Sequence, residues 1–212
     1  MITQKGQSIE DKSMEIIESE IGAHPYSKDE WPIVRRVIHA TADFDFARQN
    51  MIIFHKDAIK NGISALKNGC NIIVDVNGVI GGFNKENLKE FSNKTICYIS
   101  DSNIASEAEK LNKTRAQISM RMAASDMNES VVAIGNAPTA LVEVISMIRE
   151  KVTRPALVIG LPVGFVSASE SKEELQTLDI SCITNKGRKG GSSCASAIVN
   201  ALFRTIKERS SF

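Results

Sequence analysis

Aromatic residues, cysteines and net charge are all scarce in this sequence of 212 residues. Aromatic residues make up 5% of the chain, and the formal net charge is +1 at pH 7. Proteins that bind nucleic acid usually cluster basic residues and place aromatic side chains among them for stacking. A nearly neutral chain also has no bulk attraction to an anionic membrane surface. We therefore expect neither nucleic acid nor a membrane as a partner.

The cysteines are too scattered to form a metal-binding or disulfide pattern. They are Cys70, Cys97, Cys182 and Cys194, and no two of them form a C-x-x-C pair. The spacing of zinc ligands is absent, and a disulfide framework is not expected in a chain of this length. We expect reduced, buried thiols and no metal site.

Long apolar runs are absent as well. No segment approaches the roughly 20 apolar residues that span a bilayer. No apolar stretch follows the first six residues, as it would in a secretion signal. We therefore expect a cytoplasmic protein. Hydrophobic residues make up 42% and charged residues 24% of the chain, which is typical of globular proteins. Residues 1–212 are expected to form a single domain.

Five short apolar runs, rich in β-branched residues, alternate with amphipathic stretches. The runs cover residues 71–75, 95–99, 131–135, 156–160 and 180–184, and their continuous apolarity is typical of strands buried on both faces. Helical patterns lie at about 56–68, 103–127, 139–150, 171–179 and 193–207, with two N-terminal helices at about 9–21 and 29–40. This order predicts an α/β fold of three layers (α/β/α), with a mainly parallel, doubly wound sheet of about five strands.

Capping boxes, in which Ser or Thr precedes Glu or Gln by three residues, indicate three helix starts. They are Ser27 with Glu30, Thr114 with Gln117, and Ser171 with Glu174. The helix after Ser27 is expected to begin a residue or two later than its box indicates, because Pro32 lies deep for a first turn.

In an open parallel sheet, ligands bind beyond the carboxyl ends of the strands. The segments expected there, 75–82, 100–103, 135–139, 160–164 and 187–193, are all rich in Gly, Asn, Ser or Pro. Such residues let the backbone approach a ligand closely, although strand-to-helix turns use them too. We predict a ligand site at this edge of the sheet.

Neither glycine-rich segment matches a nucleotide-binding motif. Gly78-x-x-Gly81-Gly82 lacks the G-x-G-x-x-G spacing, and segment 187–193 is not a G-x-x-x-x-G-K-[ST] loop. We therefore expect no nucleotide cofactor. Ser192 is expected to cap the last helix, whose N-terminal N–H groups would attract an anion such as a carboxylate.

His39 is the strongest candidate for a catalytic group. It falls near the end of the predicted helix 29–40, and Arg36 precedes it by three residues on the same face. Histidine titrates near neutral pH, and a guanidinium beside it exceeds what the packing of an apolar helix requires. Asp43 could orient the imidazole or set its pKa. A histidine that merely ends a helix is the alternative.

Arg115 would occupy the first position of a helix, where the dipole disfavours a cation. This placement suggests an anionic partner, with a solvated side chain as the alternative. Together with Arg36 and Arg188, Arg115 could bind several carboxylates. The other histidines are weaker candidates, since His24 lies in a loop and His55 at the expected entry to a helix.

Six stretches of the chain together resemble the signature segments of one family. They are residues 36–43, 112–116, 131–141, 160–166, 168–172 and 187–192. Gly-Asn-Ala-Pro-Thr-Ala and Leu-Pro-Val-Gly-Phe-Val, within the third and fourth stretches, are long and unusual. The sequence is similar to the precorrin-8X methylmutases, including the cobalt-precorrin-8 form, from Ser13 to the last helix.

The resemblance implies an isomerase of the corrin pathway to cobalamin. Members of the family move a methyl group from ring carbon 11 to carbon 12 of the macrocycle. The resemblance implies no external methyl donor and no redox cofactor, and any cobalt would belong to the substrate. The expected ligand is therefore a tetrapyrrole with several carboxylates.

The resemblance also assigns roles to residues of this chain. His39 matches the family's catalytic histidine, which donates a proton to the ring or forms a hydrogen bond with it. Ser13, Arg36 and Arg115 match its substrate contacts. To these we add Arg188 and Ser192, from the loop argument above. The family is homodimeric, with substrate sites near the subunit interface.

Two residues depart from the family pattern. Ala42 stands where the family often has Gly, and Gly78 where it often has Met. Both changes concern the shape of the pocket rather than the reaction. A methyltransferase or oxidoreductase with a nucleotide cofactor, and a non-catalytic corrinoid carrier, are the alternative functions.

Overall fold

The sheet has an antiparallel strand at one edge of an otherwise parallel array. The structure, a computed structural model, describes residues 3–49 and 51–210, and within them six strands form one sheet. They are β1 (Ile52–His55), β2 (Ile72–Val74), β3 (Thr95–Ile96), β4 (Val131–Ile134), β5 (Leu157–Gly160) and β6 (Cys182–Asn185). Their order is β1-β6-β5-β4-β2-β3, and only β1 runs antiparallel to its neighbour.

Helices connect the strands and cover both faces of the sheet. They are α1 (Gln4–Ile21), α2 (Trp31–Thr41), α3 (Asp45–Arg48), α4 (Ala58–Lys67), α5 (Asn77–Gly81), α6 (Lys85–Glu90), α7 (Ile104–Lys110), α8 (Arg115–Met122), α9 (Pro138–Arg149), α10 (Ala168–Leu175) and α11 (Ser192–Ser210). A short 3₁₀ helix spans Ala124–Asp126.

The two faces of the sheet bury separate apolar clusters. Every residue of β4 and β5 is buried, as expected for strands covered on both faces. Val131 and Ala133 pack toward α1, α2, α4 and α11, whereas Val132 and Ile134 pack toward α8, α9 and α10. The predicted α/β/α architecture with a mainly parallel, doubly wound sheet is confirmed.

The expected count of about five strands missed the edge strand β1. The parallel strands were all predicted, although β3 is shorter than the apolar run at 95–99. His55, expected at a helix entry, is instead the last residue of β1 and pairs with Cys182. Among the described strands, β1 pairs with β6 alone and is partly exposed. Its apolar run, residues 51–54, is only four residues long and directly precedes the segment that was expected to enter a helix.

Several helix boundaries differ from the predictions. The pattern at 103–127 is broken into α7 and α8, and the Thr114–Gln117 capping box at the start of α8 is confirmed. The box expected at Ser171 is wrong, because α10 begins at Ala168 and the Ser171 hydroxyl donates to the Ala168 carbonyl. Ser27 and Glu30 exchange backbone-to-side-chain hydrogen bonds, and α2 begins just after them.

Candidate active site

The strand order reverses between β2 and β4, and a buried carboxylate lies at this point. Asp75 directly follows β2 and is fully buried. Its carboxylate accepts hydrogen bonds from the backbone N–H groups of Gly135 (3.0 Å), Asn136 (2.8 Å) and Ala137 (2.7 Å). Burial raises the pKa of Asp75 even though these N–H groups favour the charged form. Asp75 therefore fixes the loop after β4 at the position where ligands of such sheets bind.

His39 lines an open cleft of about 270 Å³ beside this switch point. Helix α2 contributes Arg36, His39 and Ala40 to the cleft, and α11 faces them across it with Ser193, Ser196, Ala197 and Asn200. His39 is exposed. The imidazole of the predicted catalytic residue is therefore accessible to a ligand rather than buried in the core.

Two glycines bring the segment after β2 against α11 and complete the cleft. A Cβ on Gly78 would lie 3.3 Å from the Ser192 hydroxyl, and one on Gly82 would lie 2.3 Å from the Ser196 hydroxyl. Close packing thus explains Gly78 and Gly82 of the Gly78-x-x-Gly81-Gly82 motif, whereas a Cβ on Gly81 would have no atom within 4 Å. Both glycines line the cleft, so the departure from the family pattern at Gly78 does bear on its shape.

Helix α2 ends at Thr41, two residues after His39, and the next residue is in a left-handed conformation. Ala42 has φ 54° and ψ 24°, and its N–H donates to the Ile38 carbonyl (2.7 Å). Helices often end with a residue in this conformation, usually glycine, because it costs a residue with a Cβ about 1 kcal/mol. This geometry gives a physical reason for glycine at this position in the family pattern.

Glu10 connects α1 to the cleft through two arginines. Its Oε1 atom accepts hydrogen bonds from Nη1 of Arg36 (2.7 Å) and from Nη1 of Arg204 (2.9 Å). Burial pushes the Glu10 pKa upward, but the hydrogen bond from Arg36 and the positive charges nearby bring it below its ordinary value. Glu10 shares the inner face of α1 with the buried Met14 and Ile17. That periodicity was the available signal for a residue that our sequence analysis missed.

The pKa of His39 is lowered from its ordinary value. Partial desolvation of the ring by the side chains around it is the larger cause and the charge of Arg36 the next, whereas the carboxylate of Glu10 opposes them. The expectation that Asp43 orients or tunes the imidazole is not met, because the Asp43 carboxylate accepts a hydrogen bond from Lys189 (2.6 Å). The acidic group that acts on His39 is Glu10.

Ser13 and Arg115 both lie outside the lining of this cleft. The Ser13 hydroxyl donates to the Ile9 carbonyl (2.8 Å), one helical turn after Glu10 on α1. Arg115 is the first residue of α8, and its Nη2 donates to the Ile99 carbonyl (2.7 Å) beyond β3. Arg115 is therefore at the carboxyl edge of the sheet, but in the opposite helix layer from His39.

Arg188 and Ser192 come from the loop between β6 and α11. The exposed Arg188 guanidinium lies 5.7 Å from the centre of the Phe165 ring, which is 83% exposed. Ser192 is the first residue of α11, and the Ala195 N–H bonds to the Gly191 carbonyl. Gly191, not Ser192, therefore caps the helix. The Ser192 hydroxyl instead faces Gly78.

The structure thus brings His39 and Arg36 into one cleft, and Ser192 packs against Gly78, which lines the same cleft. Arg115 and Arg188 lie elsewhere along the same edge of the sheet. Within residues 3–49 and 51–210, no group of three or more His, Cys, Asp or Glu side chains is arranged to bind a metal. None of the helices in that part of the chain is long and apolar enough to cross a membrane.

Comparisons with known proteins show the family of this chain and support its fold. The sequence pattern of the precorrin-8X methylmutase family matches residues 8–205. A cobalt-precorrin-8 methylmutase of Priestia megaterium is 50% identical over 201 residues, which cover 95% of this chain and 88% of the relative. A cobalt-precorrin-8 methylmutase of Leptospira interrogans is 47% identical, and the match covers 98% of this chain and 97% of the relative. A crystal structure of a precorrin-8X methylmutase from Thermus thermophilus, 35% identical, superposes with a TM-score of 0.87 over 95% of this chain and 98% of that one.

Proposed function

This chain belongs to the precorrin-8X methylmutase family of isomerases, and we propose that His39 is the proton donor of its methyl migration. The observation that carries this proposal is the exposed imidazole in a cleft at the carboxyl edge of the sheet. The methyl group moves within the macrocycle of cobalamin biosynthesis, from ring carbon 11 to carbon 12. We propose that residues 1–212 act as one domain.

His39 would act by placing positive charge on the conjugated ring. A proton donated to the ring bearing the methyl group, or a hydrogen bond from the imidazolium to it, draws electron density from the migrating bond. The methyl group then shifts to the neighbouring carbon with its bonding electrons, and the proton returns to His39. General acid catalysis of this kind typically contributes about 10²–10⁴-fold to the rate.

Substrate binding would favour the protonated form of His39. In the free protein, burial and the charge of Arg36 lower the pKa of the imidazole. A carboxylate of the substrate beside Arg36 would offset the charge of Arg36 and raise the pKa of His39. The imidazole would then become protonated when the substrate is bound. The bond to Glu10 uses Nη1 alone, and a guanidinium has five N–H donors in all.

The remaining basic residues would bind further acid arms. We propose that Arg115 and Arg188 contact carboxylates at the periphery of the ring, with Ser13 and Ser192 as polar contacts. Arg115 and Arg188 lie on the carboxyl edge of the sheet, as the cleft does. Because much of the rate of such an enzyme comes from orientation, these contacts would fix which ring face meets His39.

We propose a cobalt-containing substrate and a homodimer. The relatives at 50% and 47% identity are named cobalt-precorrin-8 methylmutases, whereas two named precorrin-8X methylmutases are 33% and 35% identical. A cleft of about 270 Å³ is at the lower limit even for drug-sized ligands. A second copy placed over the cleft would enclose the much larger macrocycle. A cytoplasmic location and the absence of a dissociable cofactor remain predictions.

An activity assay with the purified protein tests this function. The protein is incubated with cobalt-precorrin-8 and, separately, with metal-free precorrin-8X. We expect conversion of the cobalt form to its isomer, followed by the absorption spectrum of the corrin product. Recovery of bound but unchanged substrate would instead indicate the non-catalytic carrier. Turnover that needs an added nucleotide would indicate the cofactor-dependent alternative.

A further inference from the structure

Lys172 on α10 is a buried cation to which the proposed mechanism assigns no role. Its side chain is fully buried, which is very rare for lysine. Its Nζ atom donates hydrogen bonds to the backbone carbonyls of Gly187 (2.9 Å) and Lys189 (2.5 Å). Among the described residues, no carboxylate forms an ion pair with it. The hydrogen bonds to the ammonium that the structure describes therefore go to the carbonyl dipoles of one loop.

That loop, residues 186–191, connects β6 to α11 and is fixed at several other points. The Asn185 side-chain amide also donates to the Lys189 carbonyl (2.7 Å). The Gly191 N–H donates to the Leu161 carbonyl (2.9 Å). The backbone of the loop thus faces Lys172 and the end of β5, and the three long side chains of the loop, those of Lys186, Arg188 and Lys189, are exposed.

Two of these side chains, Lys189 and Arg188, contact other segments of the chain. Nζ of Lys189 donates to the carboxylates of Asp43 (2.6 Å) and Asp45 (2.7 Å), which follow the helix that carries His39. Arg188 lies over the exposed ring of Phe165. The loop therefore connects the end of α2 to the segment after β5, and its conformation sets where both cations lie.

We propose that Lys172 is a positioning residue of the active site. Its ammonium holds the 186–191 loop in the conformation that directs Arg188 toward a substrate acid arm and Lys189 toward Asp43 and Asp45. This inference rests on the proposed function, because Arg188 is assigned there to the substrate. Only a group with several N–H donors can bind both carbonyls from α10. An apolar side chain would remove the Lys172 hydrogen bond from the Gly187 carbonyl and leave the Lys189 carbonyl with the Asn185 amide as its donor.

Burial lowers the pKa of Lys172 to about 8. The side chain is therefore still mostly protonated at pH 7, and the ammonium is the form that holds the loop. The Cys194 thiol on α11 is the titratable group that acts on it, and burial raises the pKa of that thiol to about 11. The thiol is thus neutral at the same pH.

Lys172→Met tests the inference, with Lys67→Met as its control. Methionine has a similar length but no donor, and Lys67 is an exposed lysine on α4. Hydrogen–deuterium exchange is measured first, because it needs no ligand. We expect faster exchange in Lys172→Met at residues 186–191 and 43–45, with the core strands unchanged. Unchanged exchange at these segments, or faster exchange spread over the whole chain, would overturn the positioning role.

The second measurement is the affinity for cobyrinate, the expected product, by absorption titration. We expect Lys172→Met to weaken binding about tenfold, as the loss of a charge-assisted hydrogen bond does. Arg188→Met should weaken binding in the wild type but much less in the Lys172→Met background, because both changes act through one loop. Fully additive effects would refute the coupling.

Two further outcomes separate this inference from the proposed function. If the wild type does not bind cobyrinate, the proposed function fails, and the exchange experiment alone decides whether Lys172 holds the loop. If Lys172→Met does not fold, Lys172→Gln replaces it in both measurements, because the glutamine side chain is uncharged and its nitrogen lies one atom closer to the backbone than that of lysine. Wild-type exchange and wild-type affinity in that variant would then count against the inference.

Discussion

Glu10 lies 2.7 Å from Arg36, so the guanidinium one turn before His39 has a negative partner within the protein itself. Glu10 also raises the pKa of His39 against the effects of burial and of Arg36. A residue of α1 thus partly offsets the two effects that lower the pKa of the imidazole. Glu10 is 26 positions from Arg36 in the chain.

Glu10→Gln should lower the pKa of His39 further. The change removes the negative charge and leaves Arg36 without its partner, and both effects disfavour the imidazolium. Because the folded-state pKa is below that of the unfolded chain, the His39 contribution to stability is lost as pH falls below about 6.5. In Glu10→Gln this pH window should extend lower.

Titration of the imidazole by NMR measures the shift in the His39 pKa, and Glu15→Gln, at an exposed position on the same helix, is the control. An unchanged or higher pKa would contradict the role of Glu10.

His39→Ala should abolish most turnover but retain binding. The loss of a general acid is expected to reduce kcat by about 10²–10⁴-fold, whereas the arginines that would bind the acid arms remain. Single-turnover conversion and product titration measure the two effects separately. His55→Ala, at the end of β1, is the control. Full activity in His39→Ala would refute its role as proton donor.

Arg115→Ala should weaken product binding more at low salt than at high salt. A contact between a guanidinium and an acid arm at an exposed position is screened as ionic strength rises. Product affinity is measured at several salt concentrations for this variant and for the control Arg154→Ala. Arg154 lies near the amino ends of the parallel strands, away from the proposed site. Equal affinity of Arg115→Ala and the wild type at every ionic strength would exclude Arg115 from the substrate site.

Ala42→Gly should stabilise the protein by about 0.5–1 kcal/mol. The left-handed conformation of Ala42 costs a residue with a Cβ about 1–2 kcal/mol, and the greater backbone entropy of glycine offsets part of the gain. Ala40→Gly, two residues earlier within the helix, should instead destabilise by about 0.5–1 kcal/mol. Denaturant unfolding of both variants measures the change in the free energy of unfolding, which should have opposite signs in the two. Destabilisation by Ala42→Gly would show that the Cβ makes a contact that outweighs the strain.

The sequence was sufficient to predict the architecture because buried parallel strands have a distinctive apolar pattern. The runs at 131–135 and 156–160 became β4 and β5, in which every residue is buried. Strand β1 was missed because its apolar run, residues 51–54, is only four residues long and directly precedes the helical pattern at 56–68. The break between α7 and α8 follows from the Thr114 cap, whose side-chain hydrogen bonds are local.

By itself, the sequence determined the family, the layered α/β fold and the candidacy of His39 and Arg36, which share a helix face through local geometry. Only the tertiary structure decided the partners of these residues. Asp43, which is close to His39 in sequence, instead bonds to Lys189, 146 positions away, and Glu10 reaches Arg36 from another helix. Lys172 holds its loop through backbone carbonyls that no sequence motif marks. The physical reason is that charge pairing and burial depend on distance in space, which the packing of helices on the sheet sets and the spacing along the chain does not.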